Sequence, residues 1–96
     1  MPEPATETAI EGLYVCVPNP CTTRPCLPGT AYAVECGGQN YVLTVAGRWF
    51  AASRSWSGWT PSLGDRVKVI GRVSYHVDVR GEQFVTIEPR SVAPCP

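Results

Sequence analysis

Apolar and polar side chains alternate in several runs along the chain, the period-two signature of strands with one buried face. Ile10 to Val17 reads Ile-Glu-Gly-Leu-Tyr-Val-Cys-Val, with Leu13, Val15 and Val17 on one side and Tyr14 and Cys16 on the other, and predicts a first strand. Thr30 to Cys36 alternates next, setting Tyr32, Val34 and Cys36 against Ala31, Ala33 and Glu35. Gly37-Gly38-Gln39-Asn40 then supplies residues able to take positive φ, and Tyr41 to Ala46 resumes the alternation, so this pair predicts a hairpin. Arg66 to Val79 is the longest run. It places Val67, Val69, Gly71, Val73, Tyr75, Val77 and Val79 on a prospective core face and Lys68, Ile70, Arg72, Ser74, His76 and Asp78 on the other. Asp78-Val79-Arg80-Gly81 turns the chain and Glu82 to Pro89 returns, giving a second hairpin and a fifth strand.

The segments between these runs are of different kinds. Residues 1 to 9 carry too little apolar surface to pack and are expected as a disordered leader, with residues 10 to 96 forming a single domain. Residues 18 to 29 contain Pro18, Pro20, Pro25 and Pro28, each fixing its own φ and biasing its predecessor toward extended geometry, which predicts a stiff loop. In Arg48 to Ser62, Trp49, Ala52 and Trp56 have helical spacing, but Ser53, Ser55, Ser57 and Gly58 oppose it; at most a short helix is expected between the third and fourth strands.

Five strands in this order, with glycines at Gly12 and Gly71 inside long strands, resemble the OB-fold, a five-stranded Greek-key barrel. A strand shared by two sides of a small barrel must bend, and glycine permits both the bend and a close backbone approach. The phrase Leu63-Gly64-Asp65-Arg66-Val67-Lys68-Val69-Ile70-Gly71-Arg72-Val73 is similar to the start of the fourth strand in many OB domains. The resemblance implies a binding face on the second and third strands, flanked by residues 18 to 29 and 78 to 81.

Composition narrows the functional classes. A chain of 96 residues is one domain in size, and none of its apolar runs approaches the roughly 20 residues of a membrane-spanning helix. Eight basic residues balance eight acidic ones, which removes the overall basic footprint of a dedicated nucleic-acid binder. Between residues 40 and 80, however, Arg48, Arg54, Arg66, Lys68, Arg72 and Arg80 outnumber Asp65 and Asp78. There is one histidine and no G-x-S-x-G or phosphate-cradling loop, so no catalytic residue is assigned and no cofactor is expected. His76 and Asp78 share a strand face, which reads better as a hairpin-end pair than as an acid-base couple.

Cys16, Cys21, Cys26, Cys36 and Cys95 lack paired C-x-x-C spacing, which disfavours metal. They read as disulfide candidates in a secreted or periplasmic protein, a mature fragment lacking its export signal, because covalent staples suit a core this small. Cys16 with Cys95 is the expected long-range bridge, with a second pair drawn from Cys21, Cys26 and Cys36.

All three tryptophans, Trp49, Trp56 and Trp59, fall close together beside Arg54. They can plug one end of a barrel or, with Tyr32, Tyr41, Arg72 and His76, form a ligand surface on which rings stack; the plug is the preferred reading. The expectation is therefore a non-enzymatic binding or interaction module of an envelope-type exported protein, its partner a protein or cell-envelope component. Single-stranded nucleic acid or an oligosaccharide bound through the Trp49 to Trp59 segment is the alternative.

Overall fold

The computed structural model describes residues 7–95. They form strands β1 (Glu7–Pro18), β2 (Thr30–Cys36), β3 (Gln39–Val45), β4 (Arg48–Trp49), β5 (Arg66–Val77) and β6 (Gln83–Pro94), with no helix among the described residues. β1 pairs with β2, β2 with β3, β3 with β6, β6 with β5 and β5 with β1, so five strands close into a ring. Only the β3–β6 junction is parallel. The all-β architecture expected from the alternation is present, and its ring of five strands is consistent with the resemblance to the OB-fold.

Gly12 and Gly71 explain how long strands serve two sides of so small a ring. β1 pairs with β5 through Glu7–Leu13 and with β2 through Leu13–Pro18, and Gly12 sits at the changeover. A Cβ there would strike the Glu35 carbonyl oxygen. Gly71 marks the register shift between β5 and β6, and a Cβ there would strike the carbonyl of Glu88. Both positions need backbone at contact distance, which only glycine allows.

Inside the ring, Ile10, Tyr14, Val34, Leu43, Val67, Val69, Ile87 and Val92 make one core cluster. Burying side chains of this size contributes about 1.5–3 kcal/mol each, which makes this cluster the main stabilising term. A second, smaller cluster lies on the outer side of β2 and β3, where Ala31, Ala33 and Val42 are covered by Val15, Val17 and Trp49. The outer surface is therefore partly apolar, and the alternation of β2 reads as buried on both faces.

Three expectations are corrected, and the short helix allowed between the third and fourth strands is absent. The first strand starts at Glu7, so residues 7–9 are not leader, while residues 1–6 lie outside the described residues. The Arg48 to Ser62 segment contains no helix: two-residue β4 pairs with β3, and Trp56 and Trp59 exchange backbone hydrogen bonds of 2.7 and 3.1 Å around Ser57-Gly58. Positive φ at both Ser57 and Gly58 is the tight-hairpin geometry that the serine-rich composition concealed. The core face of β5 extends only through its first half. Val67 and Val69 are fully buried, but Tyr75 and Val77 are 80% and 64% exposed; among the described residues β1 accompanies β5 only as far as Arg72, which lies opposite Glu7.

The last correction concerns sulfur. Cys21 and Cys26 form the disulfide, a pair within the expected set of Cys21, Cys26 and Cys36, whereas the expected Cys16–Cys95 bridge is absent and Cys16, Cys36 and Cys95 are free. The Cys95 amide donates to the Arg66 carbonyl, and Arg66 lies opposite Leu13. Cys16 is three residues farther along β1, about 10 Å at strand rise, whereas bridged cysteines have Cα atoms within about 7 Å.

Candidate functional site

The outer face of β5 and β6 presents three cross-strand pairs in sequence: Arg72 opposite Glu88, Ser74 opposite Thr86, and His76 opposite Phe84. They are a charged pair, a hydroxyl pair and an aromatic pair. The parallel β3–β6 junction brings Thr44 alongside, with its hydroxyl donating to the Ile87 carbonyl at 3.4 Å. The Ala46-Gly47 turn returns the chain as β4 and stands Trp49 against the same face. These residues line a cavity of about 260 Å³ whose far rim is Thr22 of the 18–29 loop.

Aromatic geometry fixes one end of the cavity. His76 stacks on Phe84 with centroids 4.8 Å apart and planes 17° apart, and its Nε2 lies 2.9 Å from the Thr86 hydroxyl. Trp49 meets the same Phe84 edge-on, at 6.3 Å and 88°. At the other end, Glu88 accepts the Gly47 amide at 2.7 Å, which ties the strand face to the β3–β4 turn. Arg72 is exposed beside it, so the site offers one cation and one anion with no net excess.

Two loops meet over this face. The Val79 amide donates to the Cys21 carbonyl at 2.9 Å, and the Arg24 guanidinium donates to the Val79 carbonyl at 2.8 Å. The disulfide loop is thereby strapped to the β5–β6 turn. Asp78 organises that turn: its Oδ1 accepts the amides of Arg80 and Glu82 at 2.8 and 2.9 Å, and its Oδ2 accepts the Arg80 guanidinium at 3.1 Å. Desolvation pushes this carboxyl upward, but the backbone donors of Glu82 and Arg80 and the Arg80 guanidinium together hold it below the usual carboxylate value. A second hollow of about 290 Å³ lies among Pro18, Pro20, Asn40, Val42 and Gln83 and shares Phe84 with the first.

The eight residues singled out from the sequence separate into two groups. Trp49, Arg72 and His76 come together in the cavity. Tyr32, Tyr41, Trp56 and Trp59 pack against the core cluster, and Arg54 lies with them beside Phe50. Tyr32 stacks between Tyr14 at 5.1 Å and Phe50 at 6.0 Å, Phe50 meets Trp56 at 6.3 Å, and the Arg54 guanidinium lies 5.5 Å from the Phe50 centroid. Ser74, Phe84, Thr86, Glu88 and Thr44 were missed. The signal for most of them was available: once the turn after Val77 is fixed, the hairpin register puts residues 84, 86 and 88 opposite 76, 74 and 72.

No helix of the described residues is long and apolar enough to cross a membrane, and no cluster of three or more His, Cys, Asp or Glu side chains suited to a metal occurs among them. Comparison with protein-family models, with curated proteins and with solved structures finds no match to the chain.

Proposed function

We propose that the protein is a non-enzymatic binding module of an exported, envelope-type protein, and that it receives one protruding group of a protein or cell-envelope partner on the outer face of β3, β5 and β6. The observation that carries this reading is the cavity framed by Trp49, His76 and Phe84 at one end and by Arg72 and Glu88 at the other. Convergent aromatic and polar side chains in a concave site are the general mark of a ligand pocket. Its volume of about 260 Å³ falls below the 300 Å³ or more of drug-sized sites, which suits a single side chain or ring rather than an extended ligand. The Cys21–Cys26 bridge supports a secreted or periplasmic setting, where disulfides persist.

The alternative, stacking of a base or sugar ring, is supported by Trp49 alone of the three tryptophans. Trp56 and Trp59 are turned onto the core, and Arg54 leans on Phe50. The two readings separate by salt, since phosphate contacts weaken steeply as salt rises and neutral contacts do not.

The test is amide and indole shift mapping on isotope-labelled protein, titrated separately with a panel of short peptides, a chito-oligosaccharide and an oligothymidylate at low and at physiological salt. Saturable shifts at Thr44, Trp49, Ser74, His76 and Thr86 with peptides, insensitive to salt and lost in His76→Ala, are expected. Shifts confined to oligothymidylate and abolished by salt reverse the order of the two readings. An unresponsive cavity with all three probes refutes the site.

A further inference from the structure

The two ends of the cavity make different demands on what enters it. At one end, Trp49, Phe84 and the His76 ring stacked on Phe84 offer aromatic carbon. At the other, Glu88 and Arg72 lie opposite each other on β6 and β5. Glu88 accepts the Gly47 amide with Oε1, which leaves its second oxygen as an acceptor. Glu7, which faces Arg72 from β1, gives its carboxylate to Arg90 at 2.6 Å, and Arg72 makes no ion pair among the described residues. Apart from Thr22 and the β5 residues themselves, the lining comes from β3, β4, their turn and β6, on the side of β5 turned away from β1.

Charge and length narrow the occupant. An ammonium group would pair with Glu88 but face Arg72, and a carboxylate would pair with Arg72 but face Glu88, so each attraction is offset by a like charge beside it. A purely apolar ring would leave both charged groups without a partner. An indole satisfies one of them, since its N–H only donates, whereas a phenol hydroxyl both donates and accepts. It can give its hydrogen to Glu88 and receive one from Arg72 while its ring lies among the aromatic side chains. A glutamine amide also does both, but brings no ring to the aromatic end. The His76–Phe84 and Arg72–Glu88 pairs are four strand positions apart, about 13 Å at strand rise. Allowing one carbon contact and one hydrogen bond leaves about 6–7 Å, which matches a tyrosine side chain and exceeds the reach of serine or threonine.

We infer that the group this cavity receives is a phenol, the side chain of a tyrosine exposed on a protein partner, with its ring against Trp49 and Phe84 and its hydroxyl between Glu88 and Arg72. The inference deepens the proposed reading of the cavity and rests on it. Two hydrogen bonds to charged groups make the site selective: phenylalanine, which lacks the hydroxyl and leaves Glu88 and Arg72 unpartnered, is bound more weakly by about tenfold or more. Because the phenol is neutral, its binding changes little with salt.

Blocked single residues separate the phenol from the cavity that holds it. Isotope-labelled protein is titrated with the N-acetyl amides of tyrosine, phenylalanine, tryptophan, glutamine, lysine and glutamate, and with a chito-oligosaccharide. The tyrosine derivative should shift the Trp49 indole and the Ser74 and Thr86 amides saturably, and the phenylalanine derivative should need about tenfold more ligand or fail to saturate. Glu88→Gln, at an exposed position, keeps one oxygen for the Gly47 amide and turns the other acceptor into a donor. It should bring the tyrosine and phenylalanine derivatives to within about twofold of each other. Equal affinity for those two in the unmodified protein, tighter binding of any other probe, or a tyrosine preference untouched by Glu88→Gln overturns the phenol while leaving the cavity a binding site. Silence from every probe removes the reading of the cavity and this inference with it.

Discussion

Ala46 carries an unusual cost for one residue. It takes φ of 53° beside Gly47 at 78°, the pair of positive angles that lets a two-residue turn match the twist of β3 and β4. A Cβ in the left-handed region costs roughly 1–2 kcal/mol, and asparagine tolerates it better than alanine. Ala46→Asn is therefore expected to stabilise the protein by about 0.5–1 kcal/mol, measurable as a higher denaturant midpoint at unchanged slope. Tyr14 gives a second test at this scale. Burial pushes its phenol above the ordinary value of 10.0, the hydrogen bond with Ser53 pulls it down by less, and nearby Tyr32 and Cys16 push it further up. The folded state thus holds the phenol proton more tightly than the unfolded chain does. That stability is complete below the ordinary value and is lost as pH climbs through the raised one, so unfolding midpoints should fall in alkaline solution. Tyr14→Phe should flatten this fall; an unchanged profile would place its cause elsewhere.

Among the elements, those with a clean period were legible in the sequence. The β2–β3 pair and the start of β5 follow directly from alternation, and Gly12 and Gly71 were legible as bends because only a close backbone approach makes glycine useful inside a strand. β4 was not legible, since two residues carry no period, and the sequence narrowed the Cys21–Cys26 bridge to a choice among Cys21, Cys26 and Cys36 without selecting it, because spacing does not rank pairings. Half of the cavity was legible only through the hairpin register: Ser74, Thr86 and Glu88 are ordinary outward residues until that register aligns them with Trp49 and Phe84. The strap over that cavity supplies the prediction proper to this scale. Reducing Cys21–Cys26 frees a short loop, worth about 2 kcal/mol in the chain-entropy model, and should speed exchange of the Val79 amide that donates to Cys21. Asp78→Ala should speed the same amide with the disulfide intact, because the turn loses its acceptor. In the unmodified protein, acid should do likewise. A lowered carboxyl contributes stability above its ordinary value of 3.8 that is lost as pH falls through the lower folded value. Protection at Val79 that survives all three treatments would show that the strap is held by something other than these groups.

The whole molecule depends on closing the ring, and the closing contacts are far apart in sequence. Hairpins β2–β3 and β5–β6 are local and can form in about 1–10 μs. The parallel β3–β6 junction and the β1–β5 pairing require long loops to be closed before any contact compensates the lost chain entropy. Folding in roughly milliseconds to seconds is therefore expected, as for other small all-β rings with non-local pairing. Ile87 marks the step that should limit the rate. It is fully buried and lies in both the β3–β6 and β5–β6 registers, opposite Leu43 on one side and Val73 on the other, so it joins the two hairpins. Val92, near the far end of β6, is buried too but touches only the β5 side of the register, and should dock after the hairpins have met. Ile87→Val, which removes one methyl group and costs about 0.5–1.5 kcal/mol, should slow refolding, whereas Val92→Ala should mainly accelerate unfolding. Stopped-flow tryptophan fluorescence across denaturant reads both arms, because Trp56 and Trp59 pack on the core that forms when the ring closes. If Ile87→Val moves only the unfolding arm, the hairpins do not meet at β3–β6 first, and the β1–β5 pairing must set the pace.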